Sequence, residues 1–378
     1  MKKDHVVEQR CYKMGGIDEG LFKGMQEDAP NDNGKRYRRN KMACERVSII
    51  IPAYNAETFI ERSVMSAVNQ TYPNVEVIVV NDGSMDLTAN ILEQLQQDLG
   101  STAHSKILKC YTQPNGGVSV ARNKGLSHAS GDFYMFLDAD DELEENAVEL
   151  MHRRITETNA DIVIGDRFVV QEDGTKTRSK RIRDDNEMYS SEEAIKLVIK
   201  DDPYTYSCYD KLYRTSKLQS LQFPVGMRSH EDSYYVFLCL LNNAVLVTLS
   251  EPVYCYHDMQ GSTSKSEFSD KYKDMLYLAN EKKRLIDEKY PDLIKKSPNI
   301  IVKANMSALI NICTNSRKMN AGIARQCIKV VKDNKEAFVP SSEFDKKFFK
   351  IIIHNQVYLF RQYIKVRKFV RHLREIPR

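Results

Sequence analysis

The chain's densest chemistry is Asp138-Ala139-Asp140-Asp141, at the end of the apolar run Phe133-Tyr134-Met135-Phe136-Leu137. Carboxylates crowded where a strand meets a loop repel one another unless a cation or hydrogen-bond donors sit among them. Hard divalent cations take oxygen ligands and bridge to phosphates, so one reading is a metal–diphosphate site. The other is a strand end whose Asp141 or Glu142 opens a helix over 144–153. A second acidic pair, Glu231-Asp232, precedes an apolar helical stretch over 233–241. Such a pair by itself usually complements a helix start. His257 follows Tyr254-Cys255-Tyr256 at the end of a strand. Its imidazole could complete a metal shell, face a diphosphate as a cation, or be an ordinary strand-end histidine.

These residues need a frame. Val47-Ser48-Ile49-Ile50-Ile51, ended by Pro52, and Val75-Glu76-Val77-Ile78-Val79-Val80, ended by Asn81-Asp82-Gly83-Ser84, read as buried strands. Between them a helix is expected over 57–68. A second helix is expected over 86–99, with Leu87, Ile91, Leu92 and Leu95 on its apolar face. A strand over 106–111 and a helix over 118–127, after the Asn115-Gly116-Gly117 turn, continue the alternation. The order is that of βαβ units and a parallel sheet buried on both faces. Ligands bind such sheets outside the carboxyl ends of the strands, where Tyr54-Asn55, Asp82 and Asp138–Asp141 should converge. A dinucleotide-binding dehydrogenase would carry a glycine-rich turn after the first strand; here that turn is Pro52-Ala53-Tyr54-Asn55. A nucleotidyltransferase is disfavoured on the same ground.

Ile51-Pro52-Ala53-Tyr54-Asn55, Asn81-Asp82-Gly83-Ser84, Asn115-Gly116-Gly117 with Ala121-Arg122-Asn123-Lys124-Gly125, and Leu137-Asp138-Ala139-Asp140-Asp141 resemble the successive signatures of family 2 glycosyltransferases of the bacterial surface-polysaccharide type. The resemblance covers about residues 46–260. It implies an α/β GT-A fold, a mostly parallel central sheet flanked by helices, with a C-terminal helical extension. It implies inverting transfer of a hexosyl or N-acetylhexosaminyl unit from a nucleotide-sugar donor, a UDP-sugar by first choice, to a glycan or lipid-linked acceptor. The same resemblance points to Asp232, ahead of Glu231, as the base. It assigns the donor to Pro52, Tyr54, Asn55, Glu57, Asp82, Arg122, Asp138 and Asp140, and a Mn or Mg ion to Asp140 and Asp141, with His257 a further candidate ligand from its own chemistry. Asp82 would accept the uracil imide N–H, Tyr54 would stack on the base, Asp138 would turn to the ribose, and Arg122 would add charge near the phosphates. His257 departs from the family, which commonly has Arg there. The competing reading is a non-catalytic GT-A-fold nucleotide-binding or scaffold protein. Such a relative would be expected to have lost an aspartate that this chain keeps.

The 378 residues, 42% hydrophobic and 29% charged, suit one large domain plus an accessory part. Residues 1–45 are expected to be a poorly structured extension, with Met42 as a candidate natural start. Residues 46–265 form the catalytic domain, with a nucleotide-sugar half over 46–145 and an acceptor half over 146–265. Residues 266–378 are helical. In the acceptor half a strand is expected over 161–165, a hairpin or loop over 171–187, and a helix over 191–200 with Ser191 as N-cap. Further helices are expected over 272–289, 300–315 and 321–333. The eight cysteines show no Cys-x-x-Cys pair and read as buried free thiols of a reducing compartment. No apolar stretch approaches the ~20 residues of a membrane span, and no secretory signal opens the chain. A cytoplasmic protein is expected. From Lys346 to Arg378 ten Lys or Arg accompany a single Glu, interleaved with aromatic and aliphatic residues. That pattern suits either an anionic membrane surface, on the inner face of the cell membrane, or a helix packed on the domain with a solvated basic face. With a net charge of +4 and no recognition module, nucleic acid is not an expected partner.

Overall fold

The computed structural model describes residues 45–100, 107–182, 187–258, 271–314, 321–359 and 361–362. The expectations for Met42 and the first 44 residues lie outside these, as do Cys11, Cys44 and residues 363–378. The first half is built on strands β1 (Val47–Ala53), β2 (Val75–Asn81), β3 (Leu108–Thr112) and β4 (Phe133–Phe136), ordered β3-β2-β1-β4 and all parallel. Every residue of β1, β2 and β4 is buried, which is why these strands read as unbroken apolar runs. Alternation divides them between two cores. Ile49, Ile51, Val77 and Val79 meet helices α1 (Ile60–Val68) and α2 (Thr88–Gly100), while Ile50, Tyr134 and Phe136 face the other way. Helix α3 (Val118–His128) packs against β1 and β2 on that second side.

The second half adds β5 (Glu142–Leu143), α4 (Ala147–Thr158), β6 (Ile162–Val170), β7 (Lys176–Arg178), β8 (Met188–Tyr189), α5 (Ser191–Lys200), β9 (Lys211–Arg214), α6 (Thr215–Leu218), α7 (Glu231–Leu241) and β10 (Leu246–His257). The sheet continues β4-β9-β6-β10-β5, with β9 antiparallel to both of its neighbours and β5 antiparallel to β10. Parallel pairing therefore holds for the first four strands and for β6 with β10, and fails where β9 inserts. The expected hairpin is present as β6–β7.

Helices α8 (Lys271–Lys289), α9 (Pro298–Thr314), α10 (Ala321–Asp333) and α11 (Glu343–Ile353) follow. They have no separate core: Met275, Ile286, Leu309, Val331, Phe348, Ile352 and Val357 join one cluster with Tyr134, Phe136, Tyr213 and Phe237. The basic segment is thus packed where it is described, and Phe348, Ile352 and Val357 are core side chains rather than anchors for an acyl boundary. Tyr358 and Leu359 remain exposed. Among the described residues no helix is long and apolar enough to cross a membrane.

Several local expectations are corrected. Leu87 is 61% exposed and lies before α2, because Asp86 ends the loop by accepting the Thr88 N–H at 3.0 Å. Glu142-Leu143 does not open a helix; it pairs with Tyr254-Cys255, and the helix begins at Ala147. The N-cap of α5 is Ser190, in a reciprocal capping box with Glu193. Ser191 instead donates its hydroxyl to the Leu240 carbonyl. The six described cysteines are free thiols, five of them buried.

Candidate active site

The acidic loop is held by β10 on one side and by α1 on the other. Asp141 accepts the Tyr254 hydroxyl (2.8 Å) on Oδ2 and the His257 amide (2.8 Å) on Oδ1, and is 2% exposed. The Tyr254 hydroxyl also accepts the Asp138 N–H at 3.2 Å, so β10 clamps both ends of the loop. From α1, Arg62 donates to the Asp140 carbonyl (2.6 Å) and Ser63 to that of Asp138 (3.2 Å). Burial, then the charges of Asp138 and Asp140, push the Asp141 carboxyl up to about 8. Partial burial and Asp138 raise Asp140 too, with His257 and Arg62 opposing.

Asp82 organises the next loop. Its Oδ1 accepts the Gln113 amide (2.7 Å) and the Gly116 N–H (2.8 Å), and its Oδ2 accepts the Gly117 N–H (2.8 Å). The Asn115-Gly116-Gly117 turn is therefore folded around this carboxylate. Gly83, at φ +69°, is required here because a Cβ would stand 2.7 Å from the Asn115 nitrogen. Asn55, in the left-handed region at φ 48°, ties the neighbouring loop down by accepting the Met85 N–H at 2.9 Å.

The run Ala121-Arg122-Asn123-Lys124-Gly125 resolves residue by residue. Ala121 packs on Ile78 and Val80, Asn123 exchanges two hydrogen bonds with the Phe223 backbone (2.8 and 3.0 Å), and Lys124 donates to the Thr112 carbonyl (2.9 Å). Gly125 lets α3 close on Ile50 of β1. Arg122 is the centre. It is 3% exposed, lies over the Phe223 ring at 5.2 Å, and binds Asp138 (2.9 Å), Glu231 (3.1 Å) and Asp232. The two terminal nitrogens of Arg122, expected to add charge near the phosphates, here meet three carboxylates from two halves of the domain. Asn123 and Phe223, absent from the expected site, hold that arrangement in place.

Asp232 sits in the first turn of α7, entered through His230 at φ 66°. Burial pushes its carboxyl up to about 7, with Arg122 pulling it down and Glu231 and Asp138 pushing it further up. A cleft of about 1140 Å³ joins the groups, lined by Pro52, Tyr54, Asn55, Asp82, Arg122, Asp138, Asp140, Asp141, Glu231, Asp232 and His257. Glu57 is the exception. It does not line the cleft; its carboxylate accepts the Leu87 N–H (2.8 Å) and its own N–H meets Asp86 (3.1 Å), a staple between two loops.

The expected metal trio is also not gathered as ligands. Both Asp141 oxygens are engaged, and the His257 ring meets Glu142 at 2.7 Å. Among the described residues no group of three or more His, Cys, Asp or Glu side chains is arranged to hold a metal ion. Asp140 alone of the three offers its carboxylate to the cleft without a hydrogen bond from another described residue. The surroundings still suit a divalent cation, because the raised Asp140 and Asp141 carboxyls mark an excess of negative charge there.

The fold agrees with that of similar proteins. The structure superposes on Staphylococcus aureus TarS 1–349 in complex with UDP with a TM-score of 0.58 at 21% identity, covering 85% of this chain and 91% of that one. The architecture is thereby that of the GT-A glycosyltransferases. Residues 48–222, just under half of the chain, match the sequence model of glycosyl transferase family 2, so this segment is a domain of that family. It is 30% identical over 233 residues to glycosyltransferase GlyA of Streptococcus pneumoniae, covering 58% of this chain and 32% of GlyA. It is 26% identical over 231 residues to GlyG of the same organism, covering 59% of this chain and 74% of GlyG. Over 104 residues it is 44% identical to the chondroitin synthase of Pasteurella multocida, covering 28% of this chain and 10% of that enzyme. The chain thus spans about a third of GlyA's length.

Proposed function

We propose that the protein is an inverting glycosyltransferase of polysaccharide synthesis, moving a sugar from a UDP-sugar to a glycan or lipid-linked hydroxyl. The observation that carries this is the shared cleft. A carboxylate poised near neutrality, Asp232, opens into the same space as the acidic loop and is joined to it through Arg122. A base with a pKa near the working pH is the efficient one for taking a hydroxyl proton. Placed across the cleft from a bound diphosphate, a single carboxylate favours one in-line displacement and an inverted product.

Donor contacts follow the same geometry. Asp82 Oδ2 accepts one bond from Gly117 and keeps acceptor capacity for an imide N–H at the cleft wall. Half-exposed Tyr54 offers its ring beside it, and the UDP complex of TarS supports a uridine donor. Asp140, with Asp138 next to it, would hold the divalent ion, Mn or Mg, whose charge stabilises the leaving diphosphate. Asp141 positions that loop through Tyr254 and His257. Arg122, already committed to three carboxylates, keeps Asp138 and Asp232 in fixed relation.

The test is a donor screen reading nucleoside diphosphate release with Mn²⁺ or Mg²⁺, followed by NMR of the product's anomeric centre. Asp140→Asn should nearly abolish turnover with the fold intact by circular dichroism. Full activity in excess EDTA would defeat the metal assignment, retention of configuration the mechanism, and tighter binding of GDP than UDP the role of Asp82.

A further inference from the structure

The cleft does not stop at Asp232. It continues between the end of α5, the first turn of α7 and helices α8 and α9, where Met275, Leu278, Ile300 and Ala304 make an apolar wall. Two ammonium groups face this extension, Lys282 from α8 and Lys303 from α9. Lys303 is spoken for, paired with Asp345 and bonded to the Ser341 hydroxyl at 2.8 Å. Lys282 is not. Its Nζ donates to the Ser233 hydroxyl at 3.2 Å and lies 5.8 Å from the Phe237 ring centre, and among the described residues it makes no ion pair. Asp201, the carboxylate that attracts it, lines the same extension but stands beyond ion-pair distance. Burial pushes the Lys282 ammonium down to about 8 against that attraction, as expected for a cation whose counter-charge is incomplete.

Position gives the ammonium its meaning. Ser233 directly follows Asp232, so an anion on Lys282 would lie within one sugar unit of a hydroxyl presented to the base. Half-exposed Tyr206 lines the same extension and is fixed by its hydroxyl bond to the Asp201 carbonyl at 2.8 Å, leaving a ring face for a pyranose.

We infer that this extension is an acceptor subsite for an anionic group, a phosphate ester or a carboxylate, held by Lys282 beside Asp232. The inference rests on the glycosyltransferase reading of the cleft and names the class of acceptor it would take. An ammonium on a flexible stem suits a single anionic group without bidentate geometry. The apolar wall would accept a hydrocarbon portion next to that group.

Calorimetry on the full chain tests it. UDP is titrated first with Mg²⁺, in the wild type, Lys282→Met and Lys282→Arg; comparable affinities show that the donor site and the fold survive. Glycerol phosphate, glucuronate, dodecyl phosphate and neutral glycerol are then titrated with and without UDP. At least one anion should bind the wild type, about tenfold or more weaker in Lys282→Met and within about threefold in Lys282→Arg. Tightest binding of dodecyl phosphate assigns the anion to a lipid carrier, and of glycerol phosphate or glucuronate to a polymer unit. No anion binding to the wild type, or equal binding to Lys282→Met, overturns the subsite. Absence of UDP binding to the wild type would instead overturn the donor reading, and the variant comparison without UDP would still decide the subsite.

Discussion

Arg122 carries a task that no pairwise salt bridge describes. One buried guanidinium holds Asp138 of the acidic loop together with Glu231 and Asp232 of α7, so the two acidic groups share a cation. The planar fork makes this feasible, and an ammonium could not replace it. With Asp232 pushed up to about 7, its carboxylate form is lost as the pH falls. The ratio kcat/KM should then fall about tenfold per pH unit below that value and level off above it, as read from a pH–rate profile. Asp232→Asn should remove this limb and lower turnover by about 10²–10⁴, with UDP affinity near wild type. Arg122→Lys keeps one charge but loses the fork. Asp232 would lose part of what pulls its pKa down, and the acidic limb should move to higher pH. An unmoved limb would show that Arg122 does not tune the base.

At the scale of elements, the site depends on how closely α3 approaches β1. A Cβ on Gly125 would stand 2.3 Å from Ile50 Cγ2, a stiff branch buried in the core. Gly125→Ala should therefore destabilise the fold by about 1–3 kcal/mol, measured as a shift of the urea midpoint. Because Arg122 and Asn123 ride on the same helix, activity should fall even where the protein remains folded. An unchanged midpoint would mean that the helix can move away from the sheet without cost.

For the whole molecule, the C-terminal helices share one core with the sheet, so they form part of the cleft wall rather than an appendage. Truncation at 346 would remove Phe348, Ile352 and Val357 and damage that core. The membrane-surface reading is better tested by deleting residues 363–378, which keep six of the segment's ten basic residues, Lys365, Arg367, Lys368, Arg371, Arg374 and Arg378. Each cation near an anionic leaflet adds about 1 kcal/mol, screened by salt. Sedimentation with anionic but not neutral vesicles, lost on deletion and in high salt, is the expected result. Equal sedimentation of both proteins would remove the membrane role.

While the Glu231-Asp232 base candidate came from the family resemblance, the amino-acid order read alone determined the βαβ start and the convergence of Asp82 and Asp138–Asp141 at strand ends. These features are written in short-range pattern: strand period, turn glycines and the rule that ligands meet parallel strands at their carboxyl ends. Tertiary structure alone decided the partners of each charge. Arg122 and Asp232 are 110 residues apart, and nothing local says that one cation will be divided among three carboxylates. Likewise no local pattern announces that Asp141 accepts the Tyr254 hydroxyl and the His257 backbone N–H while the His257 ring meets Glu142. The wall with Lys282 was illegible for the same reason. It appears only when α8 packs beside α7 and α9 beside α8 and α5, because long-range packing and not helical period sets which polar group is left facing a cleft.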